Sequence, residues 1–542
     1  MKVGAAIADI LSREGVDVIF GYPRNAVLEQ AAAIGIRTII VRQERTGLHM
    51  ADALSRLTRG RRMGVFAMQH GPGTENAYGA VAQAYSESVP VLVLPQGYAR
   101  RLAHVPDNYN ACVSMRDITK TREPILRAED TPSILRRAFT ALRNGRLRPA
   151  LVEMPWDVLE EEVPEPIDYT PVVSTRSAPD PEAVARVADR LIAAKRLVIH
   201  AGQGVHWAEA YAELQTLAEL LAAPVSTSLE GKSAFDETHP LALGSGGAAI
   251  PGQLRHFLDR ADLILGIGCS FSETAFGVAM PAGARIVHAT LDPADINKGV
   301  PCVDALAGDA KLTLAMLVEA CRARLQTARD AGPVAQEIAD VEAKWMAEWL
   351  PLLESNDAPL SPFRVLWDLQ RTVDVANTII THDAGSPRDQ LTPYWKSISP
   401  LSYIGWGKTT QLGYGLGLAM GAKVACPDKL CINVWGDAAI GFTGMDFETA
   451  VRERLPILSI LLNNSAMAIE LPIMPVATER FRATDISGDY TAFARALGGY
   501  GERITSPEDI VPAIRRGIAA TEAGQPALLE FMTAQETRAS RL

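Results

Sequence analysis

The 542-residue sequence predicts an α/β protein built from three doubly wound parallel-sheet domains. Three observations predict it. Short β-branched runs alternate with helical patterns along the chain. The runs are apolar throughout rather than alternating, as expected of strands covered on both faces. Two stretches rich in Pro and polar residues, VPEPIDYTPVVSTRSAPDPEA (163–183) and ESNDAPLSP (354–362), divide the chain into three parts of ordinary domain size. The expected domains are 1–165, 183–325 and 355–535. A single core could not serve a chain of this length.

The strands are expected in this order. The first part carries VDVIFG, RTIIVR, MGVFAM and VPVLVL, with helices between them. The second carries RLVIHAG, DLILGIG and ARIVHATL. The third carries NTIITHD, LCINVWGD, LPILSILLNN and PALLEFM. In such sheets, sites form beyond the carboxyl ends of the strands.

Composition narrows the function. Hydrophobic residues make up 48% and charged residues 21%, as in an ordinary globular protein. Net charge is −10 and the basic residues are dispersed, which argues against a nucleic-acid surface. Six cysteines lie without CxxC spacing and read as reduced core residues of a cytoplasmic protein. The N-terminal MKVGAAIADILSREGVDVIFG is amphipathic and lacks the pattern of a signal peptide. No apolar stretch reaches the roughly 18 residues that a membrane span needs.

The stretch GDAAIGFTGMDFETAVRERLPILSILLNN (436–464) carries the most chemistry. Asp437 ends one strand and Asn464 ends the next. A right-handed crossover makes such strands neighbours or near neighbours, with both side chains over one crevice. A carboxylate, an amide oxygen and a nearby backbone carbonyl suit Mg²⁺, which takes hard oxygens in an octahedron and shares them with phosphates. Gly436 and the small Ala438 and Ala439 let backbone N–H groups approach a diphosphate at a helix N-terminus. Singly, the pieces also read as an Asp N-cap and an Asn-Asn turn. Their pairing, with 24 residues between GDA and NN, is the specific signal.

This stretch closely resembles the thiamin-diphosphate signature, which opens GD(G/A) and closes NN at about that spacing. Nearly the whole chain resembles the acetolactate synthase, pyruvate decarboxylase and benzoylformate decarboxylase superfamily, and in pattern it is most like acetolactate synthase large subunits. The resemblance implies a pyrimidine-binding domain, a central domain and a diphosphate-binding domain. It implies thiamin diphosphate and Mg²⁺ as cofactors, with the metal held by Asp437, Asn464 and the carbonyl of Ala466.

The first domain reads FGYPRNAVLEQ, IIVRQERTGLHMADALSR and FAMQHGPGTENAYG. These resemble the family's FGYPGG, RHE-x₂-A and SGPGATN blocks. By that resemblance Pro23, Gly71 and Asn76 contact the cofactor. Glu44 hydrogen-bonds the pyrimidine N1′ in a dry site, stabilising the imino tautomer that takes the C2 proton. Taken alone, Glu44 also fits a helix-start carboxylate favoured by the helix dipole. The block GKTTQLGYGLGLAMGA resembles G-T-M-G-F-G-L-P-A. It gives Leu412 the place of the apolar wedge that bends the cofactor, and the carbonyl of Thr410 a contact to its 4′-amino group. In THDAGSPRDQ, where the family often has GQH, Gly385 and Ser386 are candidate diphosphate contacts, although Ser-Pro replaces Gln-His.

Several positions depart from the familiar members. His70 replaces a small residue of the synthases and is a candidate proton shuttle or a backbone-bonded histidine. Arg24 and Asn25 replace a Gly-Gly pair. Arg24 either clamps an anionic substituent through its planar fork or is simply solvated. Asn25 falls where decarboxylases carry an acid and is a candidate for proton traffic. The decarboxylases' His-His pair is absent from RLAHVPDNYNACVSM, where Tyr109 and Asn110 are pocket candidates. Glu470, in NNSAMAIEL, matches the decarboxylases' Ile-Glu, whose glutamate handles protons on the enamine intermediate; an exposed helical glutamate is the alternative.

The central domain contains RLVIHAGQGVHWAEA, whose single G-x-G is weak evidence for a nucleotide. The family's flavin-contacting blocks are replaced by GSGG and GCSFSETAFG, while TLDPADINKGVP looks synthase-like. The expectation is a colourless protein without FAD, with a structural central domain; ADP or CoA binding stays open.

The expected function is thus a thiamin-diphosphate- and Mg²⁺-dependent decarboxylase or carboligase of a 2-oxo acid, working through a C2-carbanion/enamine intermediate. A second carbonyl compound is a candidate acceptor. The resemblance implies a homodimer or homotetramer, with sites completed between subunits. Rivals are C–C cleavage of a 2-hydroxyacyl-CoA or diketone, for which no basic groove is evident in the central segment, a cofactor-holding regulatory module, and a dehydrogenase. The last would need G-x-G-x-x-G where FGYPRNAVL stands.

Overall fold

The computed structural model describes residues 1–541. It contains three six-stranded sheets. The first comprises β1 (Val18–Gly21), β2 (Arg37–Ile40), β3 (Gly64–Met68), β4 (Val91–Gly97), β5 (Thr121–Pro124) and β6 (Ala150–Pro155), ordered β2-β1-β3-β4-β6-β5. The second comprises β7 (Leu197–Ala201), β8 (Val225–Thr227), β9 (Ala242–Ser245), β10 (Leu263–Ile267), β11 (Ile286–Thr290) and β12 (Asp304–Ala307), ordered β12-β11-β10-β7-β8-β9. The third comprises β13 (Thr378–His382), β14 (Tyr403–Ile404), β15 (Leu430–Gly436), β16 (Leu458–Asn463), β17 (Tyr500–Ile504) and β18 (Ala527–Met532), ordered β14-β13-β15-β16-β18-β17. The strands of all three pair in parallel. The expected three parallel sheets are therefore present. No helix among the described residues is long and apolar enough to cross a membrane.

The central strands are buried along their whole length, as in β3, β7, β10 and β16. That burial explains their unbroken apolar sequence. Helices cover both faces. The central sheet keeps its own clusters, one around Leu191, Leu217 and Leu314 and one around Leu243, Leu254 and Ile264. The first and third sheets share one: Phe20, Phe66 and Met50 pack in the same cluster as Trp406, Leu416 and Trp435.

The shared core is built on two helices. In Glu44–Leu57 every residue except Arg45 is buried, and in Tyr414–Ala425 the run Tyr414–Ala422 is buried. They approach closely because Gly417 and Gly421 have no side chain. A Cβ at Gly417 would lie 2.6 Å from His49 Cβ, and one at Gly421 would lie 2.4 Å from the carbonyl oxygen of Met50. Larger residues there would push the first and third sheets apart.

Candidate active site

Each sheet has one place where successive connections leave in opposite directions, and ligand crevices form at the carboxyl edge of such a place. In the third sheet it lies between β13 and β15, which pair directly. Asp383, Gly385 and Ser386 follow β13, and Asp437 follows β15. In the first sheet it lies between β1 and β3. Pro23 to Asn25 follow β1, and His70 and Gly71 follow β3. In the central sheet it lies between β7 and β10.

Asp437 opens the helix Asp437–Thr443 and is 4% exposed. Its Oδ1 accepts from the Ala438 N–H at 2.9 Å, while its Oδ2 is buried without a partner. Burial pushes this carboxyl up to about 6, against the pull of the backbone N–H groups of Ala438, Ser465, Ala466 and Asn464. Strand β16 pairs with β15 and brings Asn464 to the same edge. Asn464 is half-buried, and its Oδ1 accepts from the Ala466 N–H at 3.0 Å. No group of three or more His, Cys, Asp and Glu side chains forms a metal cage among the described residues. One carboxylate, one amide oxygen and the Ala466 carbonyl make a partial oxygen set. Mg²⁺ fits such a set when phosphate oxygens and water complete it, and a cation would satisfy the orphaned Oδ2. Gly436 precedes this helix as its N-cap, and Ala438 and Ala439 lie in its first turn.

Glu44 likewise opens its helix, Glu44–Leu57, and is 3% exposed. Asn76 Nδ2 donates to its Oε2 at 3.2 Å. Burial raises its carboxyl above the ordinary range; the Asn76 hydrogen bond opposes the shift and the Asp446 carboxylate adds to it. No hydrogen bond among the described residues joins Glu44 to Thr410, Leu412 or Asp437. Leu412 is half-buried and packs against the shared core. Thr410 is half-buried, with Arg388 Nη1 3.5 Å from its hydroxyl.

The departures from the family pattern receive distinct surroundings. Asn25 is 5% exposed. Its Nδ2 donates to the carbonyls of Met68 at 2.8 Å and Leu94 at 2.9 Å, and its Oδ1 accepts from the Val27 N–H at 3.1 Å. Both amide hydrogens are thus committed to tying β1, β3 and β4 together, and its oxygen caps the following helix. This arrangement disfavours the proton traffic expected of Asn25. His70 is half-buried, edge-on to Tyr98 at 4.6 Å and to Trp156 at 5.9 Å between ring centres, and its Nδ1 is buried without a partner. Burial lowers its pKa, and the Arg24 guanidinium lowers it further. Pro23 and Arg24 are exposed. Tyr109 packs against the shared core, and Asn110 caps a short helix by accepting from the Val113 N–H at 3.0 Å. Glu470 is half-buried beyond Asn464.

Sequence reasoning missed several neighbours. Tyr490 donates its hydroxyl to the Asp437 carbonyl at 3.3 Å. Asp446 is fully buried and accepts from the Arg42 N–H at 2.7 Å, binding the first sheet's layer to the third's. Asp383 was legible as the residue ending THD, just before Gly385. Nothing local marked the other two.

A cavity of about 610 Å³ opens above the central sheet's crevice. Gly204, Gly268 and Gly308 line it, together with Arg59, Arg146 and Lys408. The central segment shows no basic groove in its sequence, and these basic groups come from outside it. Arg59 and Arg146 belong to the first part of the chain and Lys408 to the third. Arg146 is ion-paired with Asp295, and Lys408 lies 3.7 Å from Glu230.

Comparison with known proteins agrees with this layout. The family models "Thiamine pyrophosphate enzyme, N-terminal TPP binding domain", "central domain" and "C-terminal TPP binding domain" match residues 1–117, 184–317 and 383–531. The probable acetolactate synthase large subunit of Methanocaldococcus jannaschii is 29% identical over 98% of this chain and 92% of its own length. The probable 2-ketoarginine decarboxylase of Pseudomonas aeruginosa is 30% identical over 94% of this chain and 90% of its own. The crystal structure of benzoylformate decarboxylase from Polynucleobacter necessarius superposes with a TM-score of 0.83 over 99% of both chains at 21% identity, a likeness of fold. Similarity that runs through all three parts of the chain, with the GDA and NN ends meeting on adjacent strands, places this protein in the thiamine pyrophosphate (thiamin diphosphate) enzyme family, as an acetolactate synthase-like lyase or transferase.

Proposed function

We propose that the chain decarboxylates a 2-oxo acid, with or without transfer of the resulting unit to a second carbonyl compound, using thiamin diphosphate and Mg²⁺. The observation that carries the reading is the orphaned, buried Oδ2 of Asp437 beside Asn464, at the crevice edge of the third sheet. Asp437, Asn464 and the Ala466 carbonyl would hold the metal. Gly385, Ser386, Gly436, Ala438 and Ala439 line the place for the diphosphate.

Bound thiamin diphosphate supplies a nucleophilic carbon and the electron sink that decarboxylation needs. The rest falls to this chain. Glu44, buried and bonded to Asn76, would hold a proton at the pyrimidine N1′; burial favours its protonated form. Leu412 would press between the two rings, and the Thr410 carbonyl would orient the 4′-amino group. His70 and Glu470 remain for proton traffic at the substrate. His70 is held toward neutrality and so suits accepting a proton. Pro23, Gly71 and Asn76 would flank the pyrimidine.

The family resemblance supports a homodimer or homotetramer in which two chains complete each site. The same reading keeps the units 1–165, 183–325 and 355–535 and a cytoplasmic location. The central cavity supports a second possibility, an ADP or CoA moiety against its basic walls. The expectation of no FAD stands as part of this proposal.

The test is incubation of the purified protein with thiamin diphosphate, Mg²⁺ and pyruvate, with products followed by proton NMR. Acetolactate or acetaldehyde supports the reading. If pyruvate persists, a panel of 2-oxo acids is run alongside cofactor C2 proton exchange. Exchange without consumption of any 2-oxo acid overturns the donor class, and absence of cofactor binding overturns the whole reading.

A further inference from the structure

Leu412 and Thr410 lie on the connection between β14 and the helix Tyr414–Ala425. Its Lys408–Thr409 end is tied to the first part of the chain, where the Lys408 N–H donates to Glu87 Oε1 at 2.9 Å and Thr409 bonds Gln83 through its carbonyl and hydroxyl; its wedge end is held at Gly413. Gly413 ends it, with φ of 92°. A Cβ there would lie 2.8 Å from Phe442 Cβ and 2.9 Å from Thr443 Oγ1, so only glycine fits. The Gly413 N–H donates to Asp383 Oδ1 at 2.9 Å. The Gly413 carbonyl accepts from Thr443 Oγ1 at 2.6 Å.

Asp383 does more than cap this turn. Its Oδ2 accepts from the Gly415 N–H at 2.9 Å, and its Oδ1 also accepts from the Ala384 N–H at 2.8 Å. It is 0% exposed, and it forms no ion pair among the described residues. An ionised carboxylate without a counter-charge is costly to bury, and three backbone N–H groups offset that cost. A turn that only needed closing could use a neutral cap. Asp383 stands at the end of β13, just before Gly385. Thr443 ends the helix that Asp437 opens. Gly413 is therefore fastened, through its N–H and its C=O, to the two elements that flank the diphosphate place.

We propose that Asp383 and Thr443 are positioning residues that lock the Leu412 wedge to the diphosphate-binding framework, so that one rigid unit sets both ends of the bent cofactor. This rests on the reading of Leu412 as the wedge. It predicts that loosening either tie leaves the diphosphate end intact and spoils the ring end.

The experiment measures, with Mg²⁺ present, binding of thiamin diphosphate and of inorganic diphosphate by tryptophan fluorescence. The proteins are wild type, Asp383→Asn, Thr443→Val, Thr443→Ser and Leu412→Ala. Asn would turn an N–H toward the Gly415 N–H, and Val removes the hydroxyl while keeping the shape. Asp383→Asn and Thr443→Val should weaken thiamin diphosphate by about tenfold and leave inorganic diphosphate unchanged. Thr443→Ser should restore wild-type binding. Should Asp383→Asn fail to fold, the Thr443 pair decides. Equal weakening of both ligands, or of neither, overturns the inference. So does a Leu412→Ala protein that alters the circular dichroism of the bound cofactor while the tie variants do not. A Leu412→Ala protein with unchanged binding and dichroism overturns the wedge reading itself.

Discussion

Glu44 and Asp437 invite comparison. Each is the first residue of a helix that follows a parallel strand, one in the first sheet's layer and one in the third's. Each is almost wholly buried, at 3% and 4% exposure, and burial raises both carboxyls. The helix dipole favours an acid at both places. Their partners differ. Glu44 receives one side-chain hydrogen bond, from Asn76, and feels the repulsion of Asp446. Asp437 accepts from the Ala438 N–H on one oxygen and from nothing on the other, beside the half-buried Asn464. One helix-start acid is thus suited to hold a proton against a neutral base. The other is suited to remain a carboxylate against a cation. The same local sequence device would serve two chemistries because different segments surround each acid, the helix Pro72–Ser86 at Glu44 and the turn after β16 at Asp437.

Glu44→Gln breaks the comparison most severely. If Glu44 holds the proton at N1′, exchange of the cofactor C2 proton should slow by about two to four orders of magnitude. Rapid-quench hydrogen–deuterium exchange measures it. Unchanged exchange would leave Glu44 as a mere helix-start acid. Asp437→Ala should act on retention rather than exchange. Mg²⁺-dependent holding of thiamin diphosphate through gel filtration should be lost, while Glu44→Gln should retain it. Retention by Asp437→Ala would place the metal elsewhere.

The asymmetry also shows what could be read before the structure. The strands VIFG, GVFAM, LILGI and LSILLN lie inside their sheets, and burial on both faces wrote them as apolar runs. The edge strand Arg37–Ile40 was legible as RTIIVR, but other edges carry no such record. Thr121–Pro124 is only half-buried, Tyr403–Ile404 is two residues long, and Tyr500–Ile504 is polar and mostly half-exposed, so each passes for loop. Ala150–Pro155 is buried, but its Glu153 interrupts the apolar run. Asp437, Asn464 and Glu44 stood out because a motif fixes their spacing. Asp446 and Tyr490 did not, since their roles depend on contacts between distant segments. Asn25 was read by its motif position alone. Its two donated hydrogen bonds to β3 and β4 appear only when three strands are in register.

A milder change tests Glu44 through its neighbour. Asn76 donates to the Glu44 carboxylate and so favours the charged form. Asn76→Leu should raise the Glu44 pKa further, because one opposing hydrogen bond is gone and burial is unrelieved. At about 1 kcal/mol for such a bond, the alkaline limb of the C2-exchange profile, where Glu44 loses its proton, should move upward by up to about one pH unit. A downward move would mean that Asn76 bonds the protonated form, and that the site prefers Glu44 neutral even more strongly.

The smallest effect concerns the mouth of the first sheet's crevice, where Arg24 holds a backbone φ of 76°. A side-chain-bearing residue in the left-handed region costs on the order of 1 kcal/mol, and such strain persists where the surroundings require that residue. Arg24→Gly relieves the strain but frees the unfolded chain by a comparable amount, so thermal stability should change by less than about 1 kcal/mol. A clear loss of stability would show that Arg24 is a structural tie. The functional reading is sharper. Arg24 lowers the His70 pKa, second to burial. Its removal should raise the His70 pKa while burial keeps it below the ordinary histidine range, which an NMR titration of the ring would follow. If Arg24 also grips an anionic substituent, KM for a 2-oxo acid bearing a second carboxylate should rise while that for pyruvate holds. Equal changes for both substrates would confine Arg24 to tuning His70, and the first sheet's crevice would then choose its substrate by shape and aromatic contact from Tyr98 and Trp156 rather than by charge.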